Sequence, residues 1–193
     1  SGKKIEYEKL VLANGSRAIE PPIDGIPKDG VMLMNNEPEQ IRKMKKEALV
    51  AENIVIFGGG YLGVELCDEL LRAGKHVTIV EKSKRLMPSS FGSEISNKVK
   101  EVIENLGGRV ILDSKIKSVL GIDAVTGIKL SSDEVIDCDF VVICCGSRPN
   151  VDMAEKLGII FDRDRGVLVD EYFRTSDKNI YAVGDCAAKH DFF

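Results

Sequence analysis

Apolar and polar positions alternate along the chain in blocks whose lengths predict strands and helices in turn. Residues Lys9 to Ala13 (KLVLA) form a short apolar run that stops at Asn14-Gly15, which predicts a buried strand ending in a turn. A Pro/Gly-rich stretch follows, from Pro21-Pro22 through Gly25 and Pro27 to Gly30, and reads as a linker between folding units. Asn36-Glu37-Pro38-Glu39 has the form of an N-cap with a glutamate three positions on. The helix after it places Ile41, Met44, Ala48 and Leu49 on one stripe.

From residue 53 the pattern sharpens. Asn53 to Phe57 (NIVIF) is a β-branched apolar run, as expected of a strand buried on both faces of a parallel sheet. It runs into Gly58-Gly59-Gly60-Tyr61-Leu62-Gly63, and then Leu62, Leu66, Leu70, Cys67 and Leu71 recur at helical spacing until Gly74. His76 to Val80 (HVTIV) predicts a second buried strand, ending at Glu81. Ile95, Val99, Val102, Ile103 and Leu106 predict a further amphipathic helix, with Ser93 before it and Gly107-Gly108 after it. Arg109 to Leu112 is a third strand. Segments 116–122, 125–130 and 134–136 predict an antiparallel meander, and Asp139 to Cys145 (DFVVICC) returns as a buried strand that breaks at Gly146. Strand–helix–strand alternation of this kind gives an α/β fold: a Rossmann-like doubly wound parallel sheet with an antiparallel β-meander crossover.

Composition narrows the class. With 193 residues, 44% of them hydrophobic and 30% charged, the chain is globular and long enough to bury a core without staples. It contains 27 basic and 31 acidic residues and no Lys/Arg block, so it carries no footprint for nucleic acid or anionic lipid. No apolar run approaches the roughly 20 residues of a bilayer span, and no secretory signal pattern opens the chain. The 5 cysteines, Cys67, Cys138, Cys144, Cys145 and Cys186, include no Cys-x-x-Cys pair. Neither a disulfide framework nor a zinc site is expected, and the compartment reads as a reducing cytoplasm.

Gly58, Gly60 and Gly63 stand between a strand and a helix, the context that a dinucleotide-binding turn requires. Gly58 permits the tight turn, Gly60 lets the backbone approach a pyrophosphate, and Gly63 lets the helix pack on the strand. Unpaired N–H groups and the positive end of the helix dipole favour an anion there. The acidic residue that completes the fingerprint is Glu81, 81 − 58 = 23 positions after Gly58. Its carboxylate is expected to accept hydrogen bonds from the adenosine ribose and to repel a 2′-phosphate, which predicts NADH in preference to NADPH. Lys82, Lys84 and Arg85 soften that preference, unless they only solvate the loop.

Further segments bear a family resemblance. Tyr7 to Ser16 (YEKLVLANGS) is similar to the strand that leaves the FAD domain of two-dinucleotide-domain flavoprotein reductases, and Gly58 to Glu65 (GGGYLGVE) to their NADH-binding turn. Cys145 to Asn150 (CGSRPN) resembles the exit from the NADH domain, and Thr175 to Ala187 (TSDKNIYAVGDCA) the second FAD motif. In this order the segments resemble the pyridine nucleotide–disulfide oxidoreductase superfamily, in its NADH oxidase, coenzyme A-disulfide reductase and nitrite reductase-like branch.

That resemblance implies roles. Residues 26–150 become an NAD(P)H-binding domain, while 1–25 (strand 9–13) and 151–193 become segments of an FAD domain. Its cofactor-binding set is Gly58, Gly59, Gly60, Tyr61, Leu62, Gly63, Glu65, Glu81, Lys82, Gly146, Gly184 and Asp185. Tyr61 would gate the flavin, Glu65 would sit near the nicotinamide, Gly146 would let the backbone pass close to the coenzyme, and Asp185 would hold the ribityl chain. Each also has a purely structural reading, as a helix-start aromatic, a solvent-facing glutamate, a turn glycine and a post-strand turn residue. No residue is assigned a catalytic or metal-binding role.

Departures from the family pattern are equally informative. Asn14 stands where a threonine is usual, only one glycine fingerprint is present, and nothing matches the redox-active cysteine. The adjacent Cys144-Cys145 pair falls in a buried strand and is expected to be inert, and neither His76 nor His190 has a partner by spacing. The chain therefore reads as a fragment, with Phe192-Phe193 as a cut end, of a homodimeric FAD enzyme whose electron acceptor is unidentified. The segments around Leu10 to Ala13 and Ile180 to Val183 are expected to pair in parallel. Alternatives are a dihydrolipoamide dehydrogenase-like or ferredoxin/rubredoxin reductase-like parent, a non-catalytic NADH-sensing module and a flavin-free Rossmann dehydrogenase.

Overall fold

A computed structural model describes residues 4–25, 29–35 and 37–189. The chain divides into two compact units, one of Ala18–Gly146 and one of Ser1–Arg17 with Ser147–Phe193. These boundaries lie at 17/18 and 146/147 rather than at 25/26 and 150/151. The stretch read as a linker explains the shift at the first boundary. Asp24 bridges Ser118 and Asp29 bridges Ala124, and Ile23 packs into the apolar cluster beneath the meander, so these residues belong to the larger unit; Pro27 lies outside the described residues.

The larger unit contains, in chain order, β1 (Val31–Leu33), α1 (Pro38–Val50), β2 (Asn53–Phe57), α2 (Tyr61–Arg72), β3 (His76–Val80), α3 (Ser93–Asn105), β4 (Arg109–Ile111), β5 (Ile116–Leu120), β6 (Gly127–Leu130), β7 (Val135–Asp137) and β8 (Phe140–Ile143). Five strands form one parallel sheet in the order β1-β8-β2-β3-β4. Period-2 side-chain alternation sends β2 residues to opposite faces. Ile54 and Ile56 meet Cys67 and Leu70 of α2 and Ile103 of α3, whereas Val55 and Phe57 meet Ile116, Val119, Ile128 and Leu130 of the meander. Helices thus cover one face and the antiparallel sheet β5-β6-β7 the other, the expected α/β class with its meander as a layer.

Helical periodicity overstates what is covered. In α1, Met44 and Ala48 pack on the core, but Ile41 and Leu49 are exposed because the stripe is wider than the contact. The same holds for Ile95 and Val102 on α3, for Leu106 at its C-cap and for Leu62 on α2. Ser93 is the first residue of α3, and Gly92 takes the cap position. The cap expected at Asn36 lies outside the described residues, as do His190 and Phe192-Phe193.

The smaller unit holds Leu10–Leu12 and Ile180–Ala182 as a parallel pair, in register Leu10↔Ile180 and Leu12↔Ala182, as expected. Leu12, Ile180 and Ala182 join Val151, Ala154, Ile159, Val167 and Val169 in its own apolar cluster. Asn14, the departure from the usual threonine, donates from Nδ2 to the Asn150 carbonyl at 2.7 Å, and Asn150 Nδ2 returns the bond to the Asn14 carbonyl at 2.7 Å. Among the described residues no helix is long and apolar enough to cross a membrane.

Candidate functional site

Register brings the site residues to one edge of the parallel sheet. Ile143 pairs with Phe57, and Phe57 with Val80, so Cys144, Gly58 and Glu81 all follow strand ends that lie level. Gly58 takes φ +116, and a Cβ on it would lie 2.3 Å from the Cys144 carbonyl oxygen. A Cβ on Gly63 would lie 1.9 Å from the Gly58 carbonyl oxygen, so α2 starts in direct contact with the turn. Any side chain at either position forces backbone apart. A Cβ on Gly60, by contrast, would meet no atom within 4 Å, which leaves the head of α2 open.

Glu81 closes the turn. It is only 5% exposed. Its Oε2 accepts the Gly59 N–H at 2.7 Å and its Oε1 accepts the Ser83 N–H at 2.8 Å. A carboxylate offers about four acceptor positions, so the two backbone bonds leave capacity on both oxygens. The loop after β3 grips Gly59 from its other side. The Met87 N–H donates to the Gly59 carbonyl at 2.8 Å, and a Cβ on Gly59 would lie 2.4 Å from Leu86 Cδ2.

Tyr61 and Leu62 open α2, with Tyr61 64% exposed, and Glu65 is exposed one turn further along. Lys82 and Lys84 are exposed beside Glu81, and Arg85 donates to the Pro88 carbonyl within its own loop. Gly146 is exposed after β8, and its carbonyl accepts the Ile19 N–H at 2.9 Å. In the smaller unit, Gly184 and Asp185 are exposed in a short 3-10 turn, and Asp185 Oδ2 accepts the Ser16 hydroxyl at 3.0 Å.

Four thiols of the larger unit are held protonated. Burial pushes Cys67, Cys138 and Cys144 up to about 12. Cys145 rises to about 11 through burial and the Glu81 carboxylate, with the Lys82 ammonium opposing. Cys186 is fully buried, and its thiol donates to the Val183 carbonyl. Among the described residues no cluster of His, Cys, Asp and Glu could hold a metal ion.

Sequence reasoning missed Leu86, Met87 and Ser96. A signal for Ser96 was present: it precedes Val99 by 99 − 96 = 3 and Ile103 by 103 − 96 = 7 positions, which puts a polar residue on the apolar face of α3.

Parallel sheet, glycine turn and strand-end acid define this unit as a Rossmann-like α/β fold. The family profile for pyridine nucleotide-disulphide oxidoreductases matches residues 1–192, and the chain belongs to that family, the one its motifs resemble. The nitric oxide reductase FlRd-NAD(+) reductase of Salmonella paratyphi A is 35% identical over 185 residues, 96% of this chain and 48% of that protein. The ferredoxin reductase for the CYP199A2 system from Rhodopseudomonas palustris matches with a TM-score of 0.92 and 29% identity, covering 99% of this chain and 47% of that one. Water-forming NADH oxidase from Lactobacillus brevis, solved bound to NADH, matches with a TM-score of 0.87 and 29% identity over 95% of this chain and 40% of its own. The chain therefore spans about half the length of the curated relatives it matches.

Proposed function

We propose that residues 18–146 are the NADH-binding domain of an FAD-dependent NAD(P)H oxidoreductase, and that the smaller unit carries the segments entering and leaving its FAD domain. The observation that carries this reading is the open head of α2 beside a buried carboxylate that already holds the glycine turn. When bound, NADH supplies a hydride and FAD accepts it; this domain binds and orients. Gly60, Tyr61 and Leu62 present the N–H groups at the helix start to the pyrophosphate. Glu81 offers its remaining acceptor positions to the adenosine ribose hydroxyls, and its charge disfavours a 2′-phosphate. Gly59, Gly63 and Lys82 frame that pocket, and Gly146 lets the backbone pass close to the coenzyme. Tyr61, unpacked and exposed, is suited to move aside as a gate, and Glu65 follows it toward the nicotinamide end.

Gly184 and Asp185 fit a flavin contact: the aspartate is exposed, and its Oδ2 accepts the Ser16 hydroxyl. The electron acceptor is oxygen, a disulfide or a small electron-carrier protein. Oxygen or a disulfide is the first reading. A small electron-carrier protein is the second, favoured by the likeness to a ferredoxin reductase at 29% identity. A reducing cytoplasm is the compartment proposed, supported by five cysteines that are all free.

Parallel NADH and NADPH titrations of the purified chain, with Glu81→Ala as control, test the binding role. NADH is expected to bind more tightly, and the substitution to narrow the difference. Equal affinity for both coenzymes, unchanged by the substitution, removes the basis for the proposal.

A further inference from the structure

Ser96 has no place in the roles above, yet it is a buried polar side chain, only 2% exposed, on the core side of α3. Its hydroxyl donates to the Leu86 carbonyl at 2.7 Å. That carbonyl belongs to the same peptide unit as the Met87 N–H, which donates to the Gly59 carbonyl at 2.8 Å. The Gly59 carbonyl in turn shares its peptide unit with the Gly60 N–H. Among the described residues no peptide bond is cis, so in each of these units C=O and N–H point in opposite directions. The Gly60 N–H therefore points away from the loop, toward the open head of α2, and it makes no hydrogen bond to another described residue.

We propose that Ser96 is a positioning residue for dinucleotide binding, acting through two consecutive peptide planes to aim the Gly60 N–H at the pyrophosphate. The inference rests on the reading of this turn as a dinucleotide cradle. Three features support it. Donors and acceptors in such a chain polarise one another, so the outermost N–H becomes a better donor to an anion. Leu86, fully buried against Gly59, fixes the same peptide sterically. The Gly58–Gly59 peptide is held separately by Glu81, so the two peptides of the turn have independent anchors.

The test uses the whole chain and three ligands. Ser96→Ala removes the donor, Ser96→Thr keeps it, and Ser96→Cys keeps the size with a weaker donor. Ser96→Ala is expected to weaken NADH and ADP binding roughly three- to tenfold, the span of one net hydrogen bond. Adenosine, which lacks the pyrophosphate, should bind unchanged. The backbone amide resonance of Gly60 should move in Ser96→Ala, return in Ser96→Thr and lie between them in Ser96→Cys. Weakening that extends equally to adenosine marks general loosening and overturns the proposal. Unchanged ADP affinity with an unmoved Gly60 resonance overturns it too. If the unmodified chain binds neither NADH nor ADP, the cradle reading fails, and the Gly60 resonance alone then decides whether Ser96 sets that peptide. Should Ser96→Ala not fold, Ser96→Cys carries the same comparison.

Discussion

Two glycine-containing turns carry the residues read as cofactor contacts, and they are built very differently. The turn at Gly58 to Gly63 is locked by its own unit: Cys144 crowds Gly58, the Gly58 carbonyl crowds Gly63, and Glu81 and Met87 hold the two polar groups of Gly59. The turn at Gly184 to Cys186 is anchored mainly from beneath, by the buried Cys186, while Asp185 stays exposed with one hydroxyl partner. The first turn thus has its shape determined before a ligand arrives, and the second offers a single acidic side chain. A preorganised turn spends less of its binding energy on ordering. Binding by this chain should therefore depend on the first turn and be indifferent to the second.

The strongest way to break that contrast is Gly63→Ala. A methyl group 1.9 Å from the Gly58 carbonyl oxygen must separate helix from turn. The expected result is loss of measurable NADH binding together with about 1–3 kcal/mol of stability, read by fluorescence titration and denaturant unfolding. Full binding by that variant would show that the turn is not the cradle. Glu81→Ala should come next, weakening NADH by about tenfold or more, since the acceptor for the ribose hydroxyls is lost along with two charge-assisted bonds to the backbone, whereas for NADPH the repulsion of the 2′-phosphate is relieved as well. NADPH affinity should change less. A parallel loss for both coenzymes would restrict Glu81 to holding the turn.

Alkaline pH separates the two units more gently. Burial raises Cys67, Cys138 and Cys144 from 9.0 to about 12, and burial with Glu81 raises Cys145 to about 11; all four lie in the larger unit. The unfolded thiols ionise first, so stability of that unit is whole below pH 9 and falls as pH climbs toward 12. At pH 8 the thiolate fraction of Cys145 is roughly a thousandth, and iodoacetamide should leave all four unlabelled in the folded chain, as mass spectrometry can show. Rapid labelling of Cys145 at that pH would contradict the assigned burial. The smallest effect is expected from Asp185→Ala, which should leave the NADH affinity of this chain within about twofold. A larger loss would tie the second turn to the first ligand.

Much of this was legible along the chain, for identifiable reasons. Asn53 to Phe57 and His76 to Val80 are strands over the ranges expected, because short β-branched runs flanked by a glycine on one side fit a sheet buried on both faces. Leu10 to Leu12 and Ile180 to Ala182 pair in parallel, as their isolated apolar runs required. The helix stripes were less reliable. Periodicity marks a face but not how much of it a neighbour covers, and so Ile41, Leu49, Ile95 and Val102 are exposed. The linker expected around Pro21-Pro22 and Gly25 differs from what forms, because Pro and Gly break regular structure without saying whether the chain still packs; Asp24 and Asp29 are bridged to the meander region.

By itself the sequence determined the order of strands and helices, the glycine spacing and the presence of an acid at the end of the second strand. Those properties depend on local propensity, on periodicity and on residues a few positions apart. Tertiary structure alone decided which groups the acid holds, that α1 to α3 share one face of the sheet, and that the Leu86–Met87 peptide joins Ser96 to the turn. Glu81 and Gly59 are 22 positions apart, and no repeating pattern specifies a bond over that span. Such bonds form only once packing has placed two loops edge to edge.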